Sequence, residues 1–413
     1  MVIESSFFKE NRDRFVQGLK DDSAAFIFAG EEKPMSADNS YRFHPDRNFY
    51  YLTGLALAGL VLVAVKHGEE SVFTLYAPEH DGLKERWTGK RMDFARLSEL
   101  SGLTVDNIRD LDTFEDDAIG YARESGLSVF VDGTSIMDAP RRFMEKVKTF
   151  GKCTEDISQV LVSLRITKRT PEIEAVRRAA AITEEALAET KKIIRPGVSE
   201  YEIYTRLEYE MARRGNMLFA FQTIVSCGRN AFYLHHSDPE YDGDGIAQEG
   251  SFIQIDVGAR EAGYCADISR VYFVGAPENG DRRLELLELI RTLRREAFGF
   301  IAPGRTFDDL NSQMYDICGK WLAKQGFIPD NFSVDDVRSY YWHNTSHYLG
   351  LDVHDVGGRS GAFAAGCCLA VEPGVYIPEW SIGFRIEDDV LVTPDGCELL
   401  SSGRDDLEGI IAL

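Results

Sequence analysis

The sequence predicts an α/β (α+β) protein of two domains, the second of which contains an internal duplication. Its 413 residues exceed what a single hydrophobic core usually organises. Short apolar runs alternate with polar helical stretches in the first part of the chain. In the second part, the order helix, Pro-Gly, capped helix and strands occurs twice. We therefore expect an N-terminal α/β domain at residues 1–160 and a second domain, made of two similar halves, at 161–413.

Four apolar runs in the first domain are typical of strands. These runs, AAFIFAG, GLVLVAV, SVFTLYAP and LSVFVDG, are rich in β-branched and aromatic residues. We expect the middle two to be joined by a loop at Lys66–Glu70. The aromatic tract NSYRFHPDRNFYYLTGL could line a cleft, but a buried core segment is the simpler interpretation. No catalytic signature is present in this domain.

The boundary between the domains lies near residues 160–171, in the segment LRITKRTPEIEAVRRAA. Thr170 is a candidate cap for a helix whose first position is Pro171, because proline is favoured there and lacks the amide hydrogen that a helix start leaves unpaired. The second domain is expected to begin with this helix.

Two segments of the second domain resemble each other. They are IRPGVSEYEIYTRLEYEMARRG (194–215) and IAPGRTFDDLNSQMYDICGKWLAKQG (301–326). Each has Pro-Gly, a Ser or Thr cap and an acid three residues later, the capping-box arrangement. The caps and acids are Ser199 with Glu202, and Thr306 with Asp309. Two similar halves would pack face to face and form a cleft between them.

Composition limits the classes of function. The formal net charge of −22 argues against nucleic acid or an anionic membrane as partner, since both need basic patches. The chain has no apolar run of about 18 residues, and its start, MVIESSFFKENRDRF, lacks a signal-peptide core. Seven cysteines without a C-x-x-C pair are typical of reduced thiols. We expect a cytoplasmic protein.

Acidic residues interrupt two apolar runs in GSFIQIDVGAREAGYCADISRVYFVG (250–275), which is typical of a hairpin that turns around Gly258 and Gly263. Asp is depleted in strands, yet Asp256 and Asp267 each interrupt a run. Facing strands could bring the carboxylates together, where repulsion would raise one pKa unless a cation lies between them. A single Asp would be more simply an edge-strand charge that blocks aggregation, but two favour a functional site.

Glutamates show the same anomaly later in the chain. Glu372 in CLAVEPGVYI could be a turn residue before Pro373, and Glu387 in IGFRIEDDVLV could pair with Arg385. With a histidine from TSHYLGLDVHDVGG, the acids form a set of four carboxylates and one imidazole. The candidate metal ligands are Asp256, Asp267, His347, Glu372 and Glu387. Four negative charges match two divalent cations, and these ligands suit Mn²⁺, Zn²⁺, Co²⁺ or Fe²⁺, of which we favour Mn²⁺ or Zn²⁺.

Four motifs resemble, in order, the metal-binding segments of the pita-bread peptidases. They are IDVGAREAGYCADISR, SHYLGLDVHD, VEPGVYI and GFRIEDD, and the resemblance covers residues 171–413. The family includes methionine aminopeptidase, aminopeptidase P and prolidase. The tract NSYRFHPDRNFYYLTG is similar to the N-terminal domain of aminopeptidase P and, less closely, of prolidase. Methionine aminopeptidase normally lacks such a domain, so the chain most resembles an Xaa-Pro aminopeptidase.

The resemblance implies a pita-bread fold with a pseudo-twofold axis and two metal ions, most simply Mn²⁺. It assigns Asp256 to one ion, Asp267 and Glu387 to both, and His347 and Glu372 to the other. A hydroxide that bridges the ions would attack the scissile carbonyl. Glu372 would accept its proton, and His354 would donate to the oxyanion.

Further residues carry over to the substrate cleft. His235 in NAFYLHHSDPE matches a histidine near the departing side of the peptide, although the doubled His236 leaves the register open. His343 in WHNTSH matches another cleft histidine, here with Asn-Thr in place of the usual Gly-containing pair. Arg385 is placed as in the proline-specific members and is expected to contact substrate or a ligand carboxylate.

These implications predict an Xaa-Pro aminopeptidase that acts on peptides with proline second. Proline has no amide hydrogen and a fixed ring, so a rigid pocket is expected. The alternative is a prolidase, which cleaves only Xaa-Pro dipeptides and must hold a free carboxylate, for which Arg359 is a candidate. The short segment VGGRSGAFAAGCCLA favours the aminopeptidase. A catalytically silent peptide-binding module is a third option, and a homodimer or larger homo-oligomer is the expected assembly.

Overall fold

The computed structural model describes residues 2–83, 85–216, 218–275 and 280–402. The chain divides into two compact units, one ending at Arg165 and the other beginning at Ile166. The boundary expected from the sequence was 160/161, whereas this division falls at the end of the helix Ser158–Ile166. Each unit is described by itself below.

A six-stranded mixed sheet organises the first unit. Its elements are α1 (Ser5–Gln17), β1 (Ser23–Phe28), α2 (Arg47–Thr53), β2 (Val61–His67), β3 (Glu70–Ala77), α3 (Glu85–Thr88), α4 (Phe94–Ser101), β4 (Ile108–Asp110), α5 (Phe114–Arg123), β5 (Ser128–Val131), α6 (Asp138–Thr149), β6 (Thr154–Asp156) and α7 (Ser158–Ile166). The strand order is β4-β3-β2-β1-β5-β6. All four predicted strands are present, and β2 and β3 form the expected hairpin, in which His67 pairs with Glu70.

The aromatic tract of the first unit is largely a core segment. It contains α2, in which Phe49 and Tyr51 are fully buried. Asp46 caps this helix by accepting hydrogen bonds from the backbone N–H groups of Asn48 (2.9 Å) and Phe49 (3.1 Å). Burial of Phe49 and Tyr51 accounts for this part of the tract, whereas Tyr41 is 60% exposed and lies outside the core.

The second unit continues the chain with two successive sets of helices and strands. The first set is α8 (Thr170–Lys191), α9 (Glu200–Ala212), β7 (Ile224–Cys227), β8 (Phe252–Val257), β9 (Arg260–Glu261), β10 (Tyr264–Cys265) and β11 (Ile268–Phe273). The second set is α10 (Arg282–Phe300), α11 (Phe307–Lys324), α12 (Val334–Arg338), β12 (Ser346–Tyr348), β13 (Cys368–Val371), β14 (Gly374–Ile377), β15 (Ile382–Arg385), β16 (Asp388–Thr393) and β17 (Gly396–Leu399).

The duplication predicted for this unit appears in its sheets. Antiparallel strands β7, β8 and β11 pair in that order in the first half, and β12, β13 and β16 pair in the same order in the second. Both capping boxes form: the hydroxyl of Ser199 accepts from the N–H of Glu202 (3.1 Å), and that of Thr306 accepts from the N–H of Asp309 (3.1 Å). One apolar core lies within the first half, and a second core joins the helices and strands of the second half with Phe252, Val271 and Phe273 of the first.

One helix cap predicted from the sequence was wrong. Thr170 is the first residue of α8, and the cap is Arg169. The carboxylate of Glu172 turns back to accept a hydrogen bond from the backbone N–H of Arg169 at 2.9 Å. The acid in the first turn therefore satisfies the helix start, and the Thr170 hydroxyl is not needed as the cap.

The hairpin at residues 250–275 is confirmed and carries the first two acids. Its tip is formed by Ala262 and Gly263, both with positive φ (48° and 86°). Asp256 lies within β8, the central strand of its sheet, and Asp267 directly precedes β11. Both side chains are buried. The edge-strand interpretation is therefore wrong for Asp256. No helix in the described parts of the chain is long and apolar enough to cross a bilayer.

Candidate metal centre

A cavity of about 630 Å³ lies within the second unit, where strands of both halves end. Every residue that the sequence predicted for the site lines it. These residues are His235, Asp256, Asp267, His343, His347, His354, Glu372, Arg385 and Glu387. They come from segments more than 150 positions apart, so the fold, and not the local sequence, brings them together.

The tightest cluster in the cavity contains His347 of β12 and two acids that each precede a strand. The Nε2 atom of His347 lies 3.4 Å from Oδ2 of Asp267 and 3.9 Å from Oε1 of Glu387. Its other ring nitrogen, Nδ1, is 3.0 Å from the carbonyl oxygen of Tyr348. Donation from Nδ1 leaves the lone pair of Nε2 directed at the carboxylates, the orientation of a metal-ligating histidine.

Two further carboxylates flank this cluster. Oε1 of Glu372 lies 3.7 Å from Nε2 of His347, and its Oε2 lies 3.4 Å from Nδ1 of His343. Oδ2 of Asp256 accepts hydrogen bonds from Nη2 (2.5 Å) and Nε (3.1 Å) of Arg385. Of the two expectations for Arg385, contact with a candidate ligand carboxylate is therefore observed. The alternative, in which Arg385 pairs with Glu387, is not observed. The carboxylate of Glu387 instead accepts a hydrogen bond from the hydroxyl of Ser269 at 3.1 Å.

The acids of the cluster have strongly perturbed proton affinities. Burial raises the pKa of Asp267 well above its ordinary value, and the charge of Asp256 raises it further. Burial and the charge of Asp267 do the same for the pKa of Glu387. Burial raises the pKa of Glu372 to about 7, against the lowering influence of His347 and Arg385. Charges of one sign crowded in a buried site predict an accompanying cation.

The donor atoms fit a divalent metal ion. Among the residues that the structure describes, Oδ1 of Asp256 and Oε1 of Glu387 are buried oxygens without a hydrogen-bond donor. Ligand atoms of Asp267, His347 and Glu387 all lie within 4.8 Å of one another. Buried, unpaired carboxylate oxygens are costly unless a cation compensates them. Oxygen donors with a single imidazole suit first-row divalent ions.

Two histidines of the cavity are held in the neutral state. Burial lowers the pKa of His343 to about 4. It also lowers the pKa of His354 to about 4, assisted by the charge of His347. The ring of His354 packs edge-on against that of His347, with centroids 4.3 Å apart. A neutral imidazole has one N–H donor, so His354 can donate a hydrogen bond in the cavity near neutral pH.

The structure distinguishes the two histidines of the doubled pair. His235 lines the cavity. The Nε2 atom of His236 lies 3.0 Å from Oε2 of Glu200, a fully buried carboxylate. The register that puts the first histidine in the cleft therefore agrees with the geometry.

Sequence reasoning missed several residues that support the cluster. The side chain of Asp389 accepts from the backbone N–H of Asp267, with both oxygens at 3.2 Å. Arg270 donates to the carbonyl of Glu387 (2.6 Å) and to the carboxylate of Asp388 (2.8 Å). A signal for the two acids was available in the sequence. Like Asp256, Asp388 and Asp389 are charged residues that interrupt an apolar run, here RIEDDVLV.

A buried ion pair anchors the loop that carries His354. Lys168 Nζ lies 2.9 Å from Oδ2 of Asp355, and each side chain is 1% exposed. The charge of Asp355 raises the pKa of Lys168, although burial opposes this. No sequence signal connected these residues, which are 187 positions apart.

Comparison with known families identifies the class of protein. Residues 174–394 match metallopeptidase family M24, and residues 8–127 match the aminopeptidase P N-terminal domain. The chain belongs to metallopeptidase family M24. The expected α/β N-terminal domain and pita-bread catalytic domain are therefore confirmed, and the family implies divalent metal ions at the site.

Individual relatives are similar over nearly the whole chain. Xaa-Pro aminopeptidase of Escherichia coli (strain K12) is 29% identical, over 97% of this chain and 95% of the relative. Xaa-Pro dipeptidase of Pyrococcus furiosus is 27% identical, over 97% and 99%. A Bacillus anthracis protein of known structure, provisionally described as an aminopeptidase P, superposes with a TM-score of 0.89 and 31% identity, over 97% and 95%. The protein is an aminopeptidase P-like hydrolase.

Proposed function

We propose that this protein is an Xaa-Pro aminopeptidase that removes the N-terminal residue from peptides with proline in the second position. The observation that carries the proposal is the carboxylate and imidazole cluster in a cavity of about 630 Å³. Nearly full-length similarity to an Xaa-Pro aminopeptidase supports this specificity. A cavity of this size accommodates a short peptide end.

In this proposal, two divalent cations, Mn²⁺ by preference, are held by the four carboxylates and the imidazole. The ligands are Asp256, Asp267, His347, Glu372 and Glu387. Such ions lower the pKa of water and polarise a carbonyl group, which is the chemistry that peptide hydrolysis needs. Arg385 fixes Asp256 in place, so that only Oδ1 of this carboxylate remains available. Zn²⁺, Co²⁺ and Fe²⁺ suit the same donors.

The side chains around the ligands supply proton transfer and charge stabilisation. Glu372 lines the cavity with one carboxylate oxygen 3.4 Å from Nδ1 of His343, and we assign it to take a proton from the attacking water and return it to the leaving amine. Neutral His354 donates a hydrogen bond to the developing oxyanion. His235 and His343 line the same cavity, where we assign them to substrate binding.

A prolidase is the second candidate, favoured by two observations. The chain is similar over its length to a curated Xaa-Pro dipeptidase. Arg359 also lines the cavity, where its guanidinium could hold the free carboxylate of a dipeptide. A catalytically silent peptide-binding module would be expected to have lost the metal-ligating residues, but all five candidate ligands line the cavity here.

Hydrolysis of matched peptides by Mn²⁺-loaded protein tests these alternatives. An Xaa-Pro dipeptide is compared with an Xaa-Pro-Yaa tripeptide and with a Met-Ala peptide that lacks proline. Asp267→Ala is the inactive control. Cleavage of the tripeptide that is lost in the variant supports the aminopeptidase, and cleavage of the dipeptide alone supports the prolidase. Bound metal without cleavage of either proline peptide would contradict both.

We also propose a homodimer or larger homo-oligomer and a cytoplasmic location. The composition and the seven free thiols support the location. Light scattering coupled to size-exclusion chromatography measures the mass in solution, and a monomer of 46.4 kDa would contradict the proposed assembly.

A further inference from the structure

The loop that carries His235 is organised by one buried carboxylate. Residues 227–240 run from the last residue of β7 to the segment before β8, and beyond Cys227 their regular structure is limited to a short 3₁₀ helix, Gly228–Phe232. Glu200, the first residue of α9, is fully buried beneath this loop. It lies outside the cavity and contacts none of the candidate metal ligands in the described hydrogen bonds, so the chemistry proposed above does not use it.

Four donors of the loop meet at the two oxygens of Glu200. Oε1 accepts from the backbone N–H of Cys227 at 2.6 Å and from Nδ2 of Asn230 at 3.0 Å. Oε2 accepts from the backbone N–H of Glu240 at 3.0 Å and faces Nε2 of His236 at 3.0 Å. A carboxylate has about four acceptor directions, so its acceptor capacity is filled. The contacts span the loop from its first residue to its last.

His235 lies in the chain between Asn230 and His236, both of which contact Glu200. Its chain neighbour His236 is held by Glu200, and the next residue but one, Ser237, accepts a hydrogen bond from Gln222 at 3.0 Å through its carbonyl oxygen. Since the loop has no sheet ladder, its path depends on side-chain contacts of this kind. His235 lines the same cavity as His343 and His354.

We infer that Glu200 is a positioning residue that holds His235 in the cleft, acting through His236 and the ends of the loop. This inference rests on the proposed function for the role of His235. The inference gives the two adjacent histidines different roles: His235 faces the substrate, and His236 connects the loop to Glu200. Ligand-orienting groups of this kind typically affect activity about 10- to 100-fold.

Glu200→Gln gives the sharpest perturbation. The glutamine keeps the size of the side chain and can still accept from Cys227 and Asn230. Its amide group, however, would point N–H donors at the backbone N–H of Glu240 and at His236. The contact with Glu240 is then lost, because two N–H groups face each other, and the contact with His236 requires the other tautomer of its ring, while the candidate metal ligands are untouched. His236→Phe removes one of the four donors and keeps the ring volume.

Glu210→Gln is the matched control. Glu210 is also a fully buried acid of α9, but its partners are Arg206, Arg213 and Arg214, which lie outside the loop. Its loss is expected to lower Tm without changing turnover. A protein that is merely destabilised should therefore behave like Glu210→Gln, and a protein with a displaced His235 should not.

The experiment measures kcat and KM of the Mn²⁺-loaded variants on an Xaa-Pro-Yaa tripeptide, together with bound Mn²⁺. We expect Glu200→Gln to lower kcat/KM about 10- to 100-fold with metal content little changed, and His236→Phe to have a smaller effect in the same direction. In a His235→Ala background, Glu200→Gln should cause little further loss. Independent, multiplicative effects, or an equal loss of kcat/KM in Glu210→Gln, would overturn the inference.

A second readout keeps the inference separate from the proposed activity. Histidine side chains labelled with ¹⁵N report the His235 ring, assigned by its absence in His235→Ala. Glu200→Gln should shift or broaden this signal, and Glu210→Gln should leave it in place. If the wild-type protein cleaves no proline peptide, the proposed function fails, and the ¹⁵N spectrum alone then tests whether Glu200 positions His235. An unchanged His235 signal in Glu200→Gln would then refute the positioning role.

Discussion

Replacing Glu372 by glutamine should stabilise the metal-free protein, and the gain should grow with pH. Burial raises the pKa of this carboxyl from 4.5 to about 7. Between these values the folded protein binds more protons at this position than the unfolded chain does. Its contribution to the free energy of unfolding therefore falls as the pH rises from about 4.5 to about 7, and stays low above that.

The size of the effect follows from the pKa shift. A shift from 4.5 to about 7 corresponds to a cost of about 1 kcal/mol at pH 5 and about 3 kcal/mol at pH 8. Glu372→Gln keeps the shape of the side chain and removes the charge, so it recovers this amount. With Mn²⁺ bound, the sign should reverse, because the wild-type protein keeps a carboxylate ligand that the variant has lost.

Equilibrium urea unfolding at pH 5, 6, 7 and 8, with and without Mn²⁺, measures these differences. Glu202→Gln is the control, since this glutamate belongs to a capping box whose hydrogen bonds from Ser199 lower its pKa. That variant should not become more stable than the wild type at high pH. A metal-free difference between Glu372→Gln and wild type that is independent of pH would refute the reasoning.

Three further predictions concern the framework of the site. Lys168→Met removes the cation that faces buried Asp355 and should cost about 3–5 kcal/mol in urea unfolding; adding Asp355→Asn should restore much of the loss, and a loss below 1 kcal/mol would contradict the importance of the pair. Gly374→Ala would put Cβ at 2.5 Å from Nε2 of His343; we expect kcat/KM to fall about 10-fold and stability to fall by about 1–3 kcal/mol, whereas Gly299→Ala in α10, where Cβ meets no neighbouring atom, should spare activity. Ser199→Ala and Thr306→Ala remove equivalent caps and should each cost about 1 kcal/mol, as measured by thermal unfolding; markedly unequal losses would argue against equivalence of the two helix starts.

Local patterns were sufficient to predict four of the six strands of the first sheet, the hairpin at 250–275, the duplicated caps and the acids of the cavity. Capping boxes and strand alternation are short-range signals, because the atoms involved are a few residues apart. Asp256 and Glu387 stood out because a charged residue in an apolar run needs a partner. The resemblance of several motifs taken together then supplied the family.

Other features depend on contacts that the sequence does not reveal. The ion pair of Lys168 with Asp355 joins residues 187 positions apart, and Glu200 reaches across 36 positions to His236. Asp389 is a charged residue in an apolar strand, and its contact with the backbone N–H of Asp267, 122 positions away, follows only from the fold. Such side chains are satisfied by tertiary neighbours, and their identity follows only once the chain has folded.

The repeated strand order has a consequence for how metal would load. Asp267 and Glu387 each directly precede the third strand of their half, β11 and β16, and so occupy equivalent places. The imidazole has no such counterpart, because β7, with the sequence Ile-Val-Ser-Cys, contains no histidine. Two cation positions with unlike donor sets should differ in affinity. Calorimetric titration of the metal-free protein with Mn²⁺ should therefore show two separate binding steps. A duplicated scaffold would then hold two ions of unequal affinity.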